Sequence, residues 1–120
     1  LQINTIDDNH FDSYKSRPDF IQRYIFPGGM LPSPAKLREQ VAGAGLTVDT
    51  YETFGQSYAR TLAEWNDRFQ ASWPDIAALN VGRHAFDTRF KRMWEYYLAY
   101  CEAGFRAGVI DVCREALSKA

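Results

Sequence analysis

The stretch Arg89–Arg106, RFKRMWEYYLAYCEAGFR, limits the fold more than any other part of the chain. Phe86, Phe90, Met93, Trp94, Tyr97, Cys101 and Phe105 recur at steps of three or four, with one adjacent pair. That is the spacing of a buried helical face. Arg89, Lys91, Arg92, Glu95 and Glu102 fall mostly on the other side, so the segment predicts an amphipathic helix from about Arg83 to Ala107, ended by Gly108. A second stripe, Tyr58, Leu62, Trp65, Phe69 and Trp73, steps by 4, 3, 4 and 4 along a helix that Ser57 can cap and Pro74 ends. The spacing fits two ordinary core helices. It also fits the walls of a site for an apolar substrate, and aromatic residues at 15% of the chain are more than a core stripe needs.

The other segments predict strands and one helix. Leu1–Ile6 is a short β-prone run stopped by Asp7-Asp8, a pair that begins turns or caps helices. Asn9–Lys15 reads as irregular or as one helical turn, and Asp19–Phe26 has apolar residues at helix-like steps before Pro27-Gly28-Gly29. PGGMLPSP packs three prolines and two glycines into eight residues, so it is a loop, and an unusually apolar one. Ser33 followed by Pro34 starts a helix, with a hydroxyl N-cap and proline at the first helical position, and Gly43 or Gly45 ends it. Leu46–Thr53 alternates, with Leu46, Val48 and Thr50 on one side and Thr47, Asp49 and Tyr51 on the other. Asp75–Gly82 reads as a short helix or turn. Val109–Leu117 reads as a last strand, with Val109, Asp111, Cys113 and Glu115 opposed to Ile110, Val112 and Arg114.

Strand, helix and strand in that order make an α/β crossover unit, and the last strand is expected to return to the same sheet. One domain over residues 1–120 follows, with a helical insertion over residues 58–107.

Composition narrows the function. A formal net charge of −1 leaves no basic field to hold phosphates, so nucleic acid is not the expected partner. Two cysteines and two histidines, none at ligand spacing, predict reduced thiols in an intracellular protein and no metal. No apolar run is long enough for a membrane span.

At PGG-x-LPS, at FGxxYxxTLxxW (Phe54–Trp65) and at FxxRFxRMWxYYLxxCEAGFRxGxIDV (Phe86–Val112), the chain resembles a known family. It is similar to the C-terminal part of the cyclopropane-fatty-acyl-phospholipid synthases and mycolic acid methyltransferases. The resemblance implies the C-terminal portion of a class I, Rossmann-like methyltransferase fold, with about three strands plus a long helical insertion. Leu1–Ile6, Leu46–Thr53 and Val109–Leu117 would be its fifth, sixth and antiparallel seventh strands, the seventh between the other two.

The implied chemistry is methyl transfer from S-adenosylmethionine to a cis double bond in an unsaturated phospholipid acyl chain. Loss of a proton to bound bicarbonate then closes a cyclopropane ring. By resemblance Tyr58 helps hold bicarbonate, and Cys101 lies near the reacting pocket. Gln2, or in another alignment Asn4, stands where many members have a bicarbonate-contacting histidine. Phe26, Pro27, Gly28, Gly29, Met30 and Leu31 would border the acyl channel, and Trp65, Phe90, Trp94 and Tyr97 would line it. No Gly-rich turn follows a strand here, so the S-adenosylmethionine site and the family's catalytic glutamate are expected upstream, and this portion alone is expected to be inactive. The expected setting is cytoplasmic, at the inner membrane surface, with a free sheet edge open to self-association. The competing expectation is an inactive α-helical module that binds lipid or protein.

Overall fold

A computed structural model of the protein describes residues 1–81 and 84–120, and the side chains of all of these except 80, 81, 84 and 85. The predicted helix start at Arg83 and turn end at Gly82 lie outside the described residues. The chain runs β1 (Gln2–Ile6), α1 (Asp8–Ser16), a π-helical turn (Ile21–Ile25), α2 (Pro34–Gly43), β2 (Leu46–Thr53), α3 (Gly55–Ala77), β3 (Asn80–Val81), β4 (His84–Ala85), α4 (Thr88–Arg106) and β5 (Ile110–Lys119).

The sheet has the order β1-β5-β2, and β5 is antiparallel to both neighbours, so the predicted last strand does lie between the other two. Its apolar residues alternate as expected and both faces are covered. Cys113 packs with Leu37 and Val41 of α2. Val112, on the opposite face, packs with Ala59, Leu62, Leu98, Cys101 and Phe105 of α3 and α4. Phe105 is nearly fully buried, and such burial stabilises by about 1.5–3 kcal/mol. The presence of the sheet removes the all-helical alternative.

Local signals hold where the chain provides its own caps. Asp7 accepts a hydrogen bond from the Asn9 amide and starts α1, which is nine residues long instead of one turn. Ser33 accepts from the Lys36 amide with Pro34 at the first position of α2, and Gly45 turns the chain at φ +72° after it.

Four expectations are corrected. Ser57 does not cap α3, because the helix starts at Gly55, whose amide donates to Asp111 Oδ1 at 2.9 Å from another strand. Pro74 does not end α3, which continues to Ala77; its missing N–H removes the helical donor of the Gln70 carbonyl, and the Ala78 amide still bonds to the Pro74 carbonyl. The next helix begins at Thr88, capped by Asp87, because the short antiparallel pair β3–β4 precedes it. In β2, a register shift between Val48 and Thr50 places Tyr51 opposite Glu115 and Val48 opposite Leu117. A bulge at Asp49 therefore returns Tyr51 to the face of Val48 and sends Thr50 to the other.

The α3–α4 hairpin stands off the sheet and gives the molecule extents of 53 × 28 × 28 Å. No helix among the described residues is long and apolar enough to cross a membrane.

Candidate functional site

The loop between α1 and α2 is folded against α4 by its own polar groups. Asp19 and Gln22 cap each other: the Gln22 amide donates to Asp19 Oδ1 at 2.9 Å, and the Asp19 amide donates to Gln22 Oε1 at 3.0 Å. The Gln22 side chain then donates to the Gly29 carbonyl at 2.8 Å, and the Leu31 amide donates to the Tyr14 hydroxyl at 3.0 Å. One bond crosses to the helix, from the Tyr100 hydroxyl to Asp19 Oδ2 at 3.0 Å. Gly28, at φ +80°, lets the chain reverse after Pro27.

Between this loop and the sheet lies a cavity of about 380 Å³. Phe26, Gly29, Met30 and Leu31 line it from the loop, and Tyr97, Tyr100, Cys101, Gly104 and Phe105 line it from α4. Asn4 and Ile6 form its floor, on the sheet face shared with Ile110 and Val112. Tyr14, Asp19, Ile21, Gln22 and Val109 complete the wall.

The lining holds its ionisable protons tightly. Burial, then the negative charge of Asp19, pushes the Cys101 thiol from 9.0 up to about 11. Burial, then the hydrogen bond and charge of Asp19, pushes Tyr100 up to about 12. Burial raises Tyr97 and Tyr14 as well. At neutral pH these thiol and phenol groups are neutral, and Asp19 is the one carboxylate among the described lining residues. Such a cavity suits an apolar chain and offers it no thiolate.

Of the residues singled out in the sequence, the structure brings Phe26, Gly29, Met30, Leu31, Tyr97 and Cys101 together around the cavity. Pro27 and Gly28 belong to the same loop without lining it. Tyr58 lies behind the wall, its ring 5.2 Å from Phe105 and 6.2 Å from Trp65. Trp94 touches Tyr97 at 5.1 Å, and Phe90 stacks on Trp94 at 5.7 Å, so this aromatic column leads away from the cavity. Gln2 and Asn4 share a sheet face and are both exposed, and of the two Asn4 lines the cavity. Sequence reasoning missed Tyr14, Asp19, Gln22, Tyr100 and Gly104. Tyr100 sits three residues after Tyr97 and one before Cys101, a signal that was there to use.

A second cavity, of about 250 Å³, lies at the start of α3 beside Gln56, Gly108 and Asp111. There Asp111 Oδ1 already accepts from the amides of Gly55 and Val112, so the carboxylate serves the helix start. Among the described residues no group of His, Cys, Asp and Glu could hold a metal ion.

A family model described as mycolic acid cyclopropane synthetase matches residues 1–115. The chain belongs to that family. Its relatives include tuberculostearic acid methyltransferase UfaA1 of Mycobacterium tuberculosis, 39% identical over 93% of this chain. Cyclopropane-fatty-acyl-phospholipid synthase of Escherichia coli is 37% identical over 83% of it. The chain spans about a quarter of the length of these two relatives, 25% and 24%. Among solved structures, mycolic acid cyclopropane synthase CmaA1 complexed with SAH and CTAB superposes with a TM-score of 0.82 at 28% identity. The match covers 99% of this chain and 43% of that one. The fold is therefore that of a portion of these synthases.

Proposed function

We propose that the protein transfers a methyl group from S-adenosylmethionine to the cis double bond of an unsaturated phospholipid acyl chain. In this reading the present chain supplies the wall and cover of the acyl site. The observation that carries it is the cavity between the apolar loop and α4, built from residues of the matching family motifs.

The chemistry explains the lining. An alkene is a weak nucleophile, so it must be held against the methyl donor where water is excluded. Attack leaves a carbocation that water or a thiolate would trap. A neutral Cys101 and the rings of Tyr97 and Phe26 instead surround the chain with groups that do not react, and aromatic faces stabilise a cation. S-adenosylmethionine supplies the electrophilic methyl group. At the β1–α1 turn the chain passes through Asp7 directly into α1 with no glycine, so that turn is not a glycine-rich nucleotide cradle.

The Tyr58 hydroxyl and the Gln2 side chain make no hydrogen bond among the described residues, which leaves both available to a bicarbonate base. A base placed there takes the proton whose loss from the transferred methyl group closes the cyclopropane ring. Substrate at a bilayer implies a peripheral protein on the cytoplasmic side of the inner membrane. Among the described residues the outer edge of β1 is open around Gln2 and Asn4 to a further strand or to a second copy, while at Ile6 the amide donates to the Pro32 carbonyl.

The test is incubation of the full-length protein with methyl-labelled S-adenosylmethionine and phospholipid vesicles carrying either cis-unsaturated or saturated chains. Label in the fatty acids of the unsaturated vesicles alone is expected. No label in either, from folded protein that binds S-adenosylmethionine, would overturn the proposal.

A further inference from the structure

Asp19 is a carboxylate in the wall of a cavity that otherwise suits hydrocarbon, and each of its polar groups is already engaged. Its carbonyl accepts from the Arg23 amide at 3.1 Å, and its amide donates to Gln22 Oε1. Oδ1 accepts from the Gln22 amide and Oδ2 from the Tyr100 hydroxyl. A carboxylate bound in this way is a fixed part of the wall and is not kept free to take a proton. A hydrogen bond to an ionised acceptor is also stronger than one between neutral groups.

These bonds form one relay. Tyr100 on α4 holds Asp19, Asp19 and Gln22 hold each other, and Gln22 Nε2 holds the Gly29 carbonyl at 2.8 Å. The relay brackets residues 19–29, which carry Phe26 and lead into Met30 and Leu31 of the lining. Inside the bracket the backbone bonds are local, from the Phe26 amide to Ile21 and from the Gly29 amide to Phe26. The far end of the loop is tied elsewhere, by the Ile6 amide to the Pro32 carbonyl at 3.0 Å and by the Leu31 amide to Tyr14. Among the described residues Tyr100–Asp19 is the one side-chain hydrogen bond from the loop to α4. Tyr100 also lines the cavity, so its ring serves the lining and its hydroxyl serves the relay.

We propose that Tyr100 is a positioning residue: through Asp19 it fixes the separation between α4 and the wall at residues 26–31, and so sets which double-bond position along the acyl chain reacts. The proposal rests on the acyl-substrate reading above. A cis double bond is a rigid bend, and a bend keeps one register between two walls only when their separation is fixed. A misplacement of about 1 Å costs as much as about 100-fold in rate.

The experiment uses the full-length protein with S-adenosylmethionine and phosphatidylglycerol vesicles bearing oleoyl or vaccenoyl chains, which differ only in where the cis bond lies. Wild type should favour one chain by about tenfold. Tyr100→Phe keeps the ring and removes the hydroxyl. It should lower kcat on the favoured chain by about tenfold at nearly unchanged KM, and narrow the preference between the chains. Asp19→Ala should do at least as much, and adding Tyr100→Phe to it should cost little more, since the shared bond is already gone. Asp19→Asn, whose side chain can still bond to both Gln22 and Tyr100, should recover most of what Asp19→Ala loses. Independently of turnover, peptides covering residues 19–31 should exchange their amide hydrogens about fivefold faster in Tyr100→Phe and Asp19→Ala, the size of one hydrogen bond.

Exchange at the wild-type rate in Tyr100→Phe would overturn the relay. Faster exchange with kcat and chain preference unchanged, or no preference in wild type, would overturn the positioning role and leave a loop contact. Activity lost in Asp19→Asn as deeply as in Asp19→Ala, with Tyr100→Phe near wild type, would assign Asp19 to its charge and overturn the role of Tyr100. Faster exchange in a protein that binds S-adenosylmethionine but methylates neither chain would leave the fastening of the wall standing and remove the methyltransferase reading.

Discussion

Gly104 is where the packing can be tested most sharply. It lies in the last turns of α4, against the start of β5 and at the edge of the cavity. A Cβ added there would sit 2.9 Å from both Cγ1 and Cδ1 of Ile110. Carbon atoms pack at about 3.5–4.0 Å, so the methyl group is about 0.6 Å too close at best. Helix propensity argues the other way, since alanine is favoured over glycine by about 0.8–1.0 kcal/mol in a helix interior. Overpacking a close contact costs about 1–3 kcal/mol. The contact should win, and Gly104→Ala should lower unfolding free energy by about 1 kcal/mol. Ile110→Val removes Cδ1, so the same change in that background should cost less by about 0.5 kcal/mol or more, a coupling of the size contacting residues show. Urea unfolding followed by tryptophan fluorescence in the four proteins gives the cycle. A higher midpoint for Gly104→Ala in the wild-type background would mean that propensity decides and that α4 does not press on β5 as described.

Three further outcomes are expected. Tyr58→Phe should shift stability by less than the about 0.5–1.5 kcal/mol of an ordinary hydrogen bond, since the ring contacts to Phe105 and Trp65 remain. Turnover of the full-length enzyme should fall by about 10²–10⁴ if the hydroxyl holds the base, and unchanged turnover at every bicarbonate concentration would return Tyr58 to a packing role. Cys101, with its thiol pushed up to about 11, should resist iodoacetamide at pH 8 and react as the pH approaches 11, read by mass spectrometry; rapid alkylation at pH 8 would mean an open, solvated cavity. Glu115→Leu should raise unfolding free energy by about 1–3 kcal/mol, because the glutamate is 3% exposed and neither carboxylate oxygen has a partner among the described residues. A loss of stability would show that the carboxylate is paired in solution.

Legibility followed the range of the interactions. Ser33-Pro34 and Gly45 bracket α2 with contacts inside a few residues, and the sequence shows them directly. The strand order came from the family motifs, because alternation alone gives strands without neighbours. Failures occurred where a distant residue decides. Asp111 caps α3 from 56 residues away, and Ser57 therefore looked like the first available hydroxyl. The bulge at Asp49 depends on pairing with β5 and a side-chain bond from Ser118 to Asp49 at 2.9 Å, neither of which alternation can reveal. Asp19–Phe26 has helix-like spacing, yet Pro18 before it and Pro27-Gly28-Gly29 after it leave room for only the five-residue π turn Ile21–Ile25. In the site, the loop motif and Cys101 were visible, whereas the Asp19–Tyr100 bond joins residues 81 positions apart.

The aromatic excess of the chain now has a division of labour along α4. The residues that bury most fully in the core are Leu98, Cys101 and Phe105, spaced 3 and 4 apart. Tyr97, one position before Leu98, turns to the cavity and touches Phe26 across it at 6.3 Å. Tyr96 and Tyr100, a further step around the helix, reach the surface and stack on each other. Core packing alone would be served as well by aliphatic residues at all three places, since apolar burial depends on area and not on ring character. A tyrosine on a surface exposes a large apolar ring, which is unfavourable in water unless something covers it. A tyrosine in a cavity wall keeps a polar hydroxyl that must be satisfied or solvated. Tyr100 meets both conditions at once, with its hydroxyl bonded to Asp19 and its ring between cavity and surface. That placement gives Tyr97 and Tyr100 a use at the cavity, while Phe90 and Trp94 continue the column that leads away from it and Phe105 serves the core.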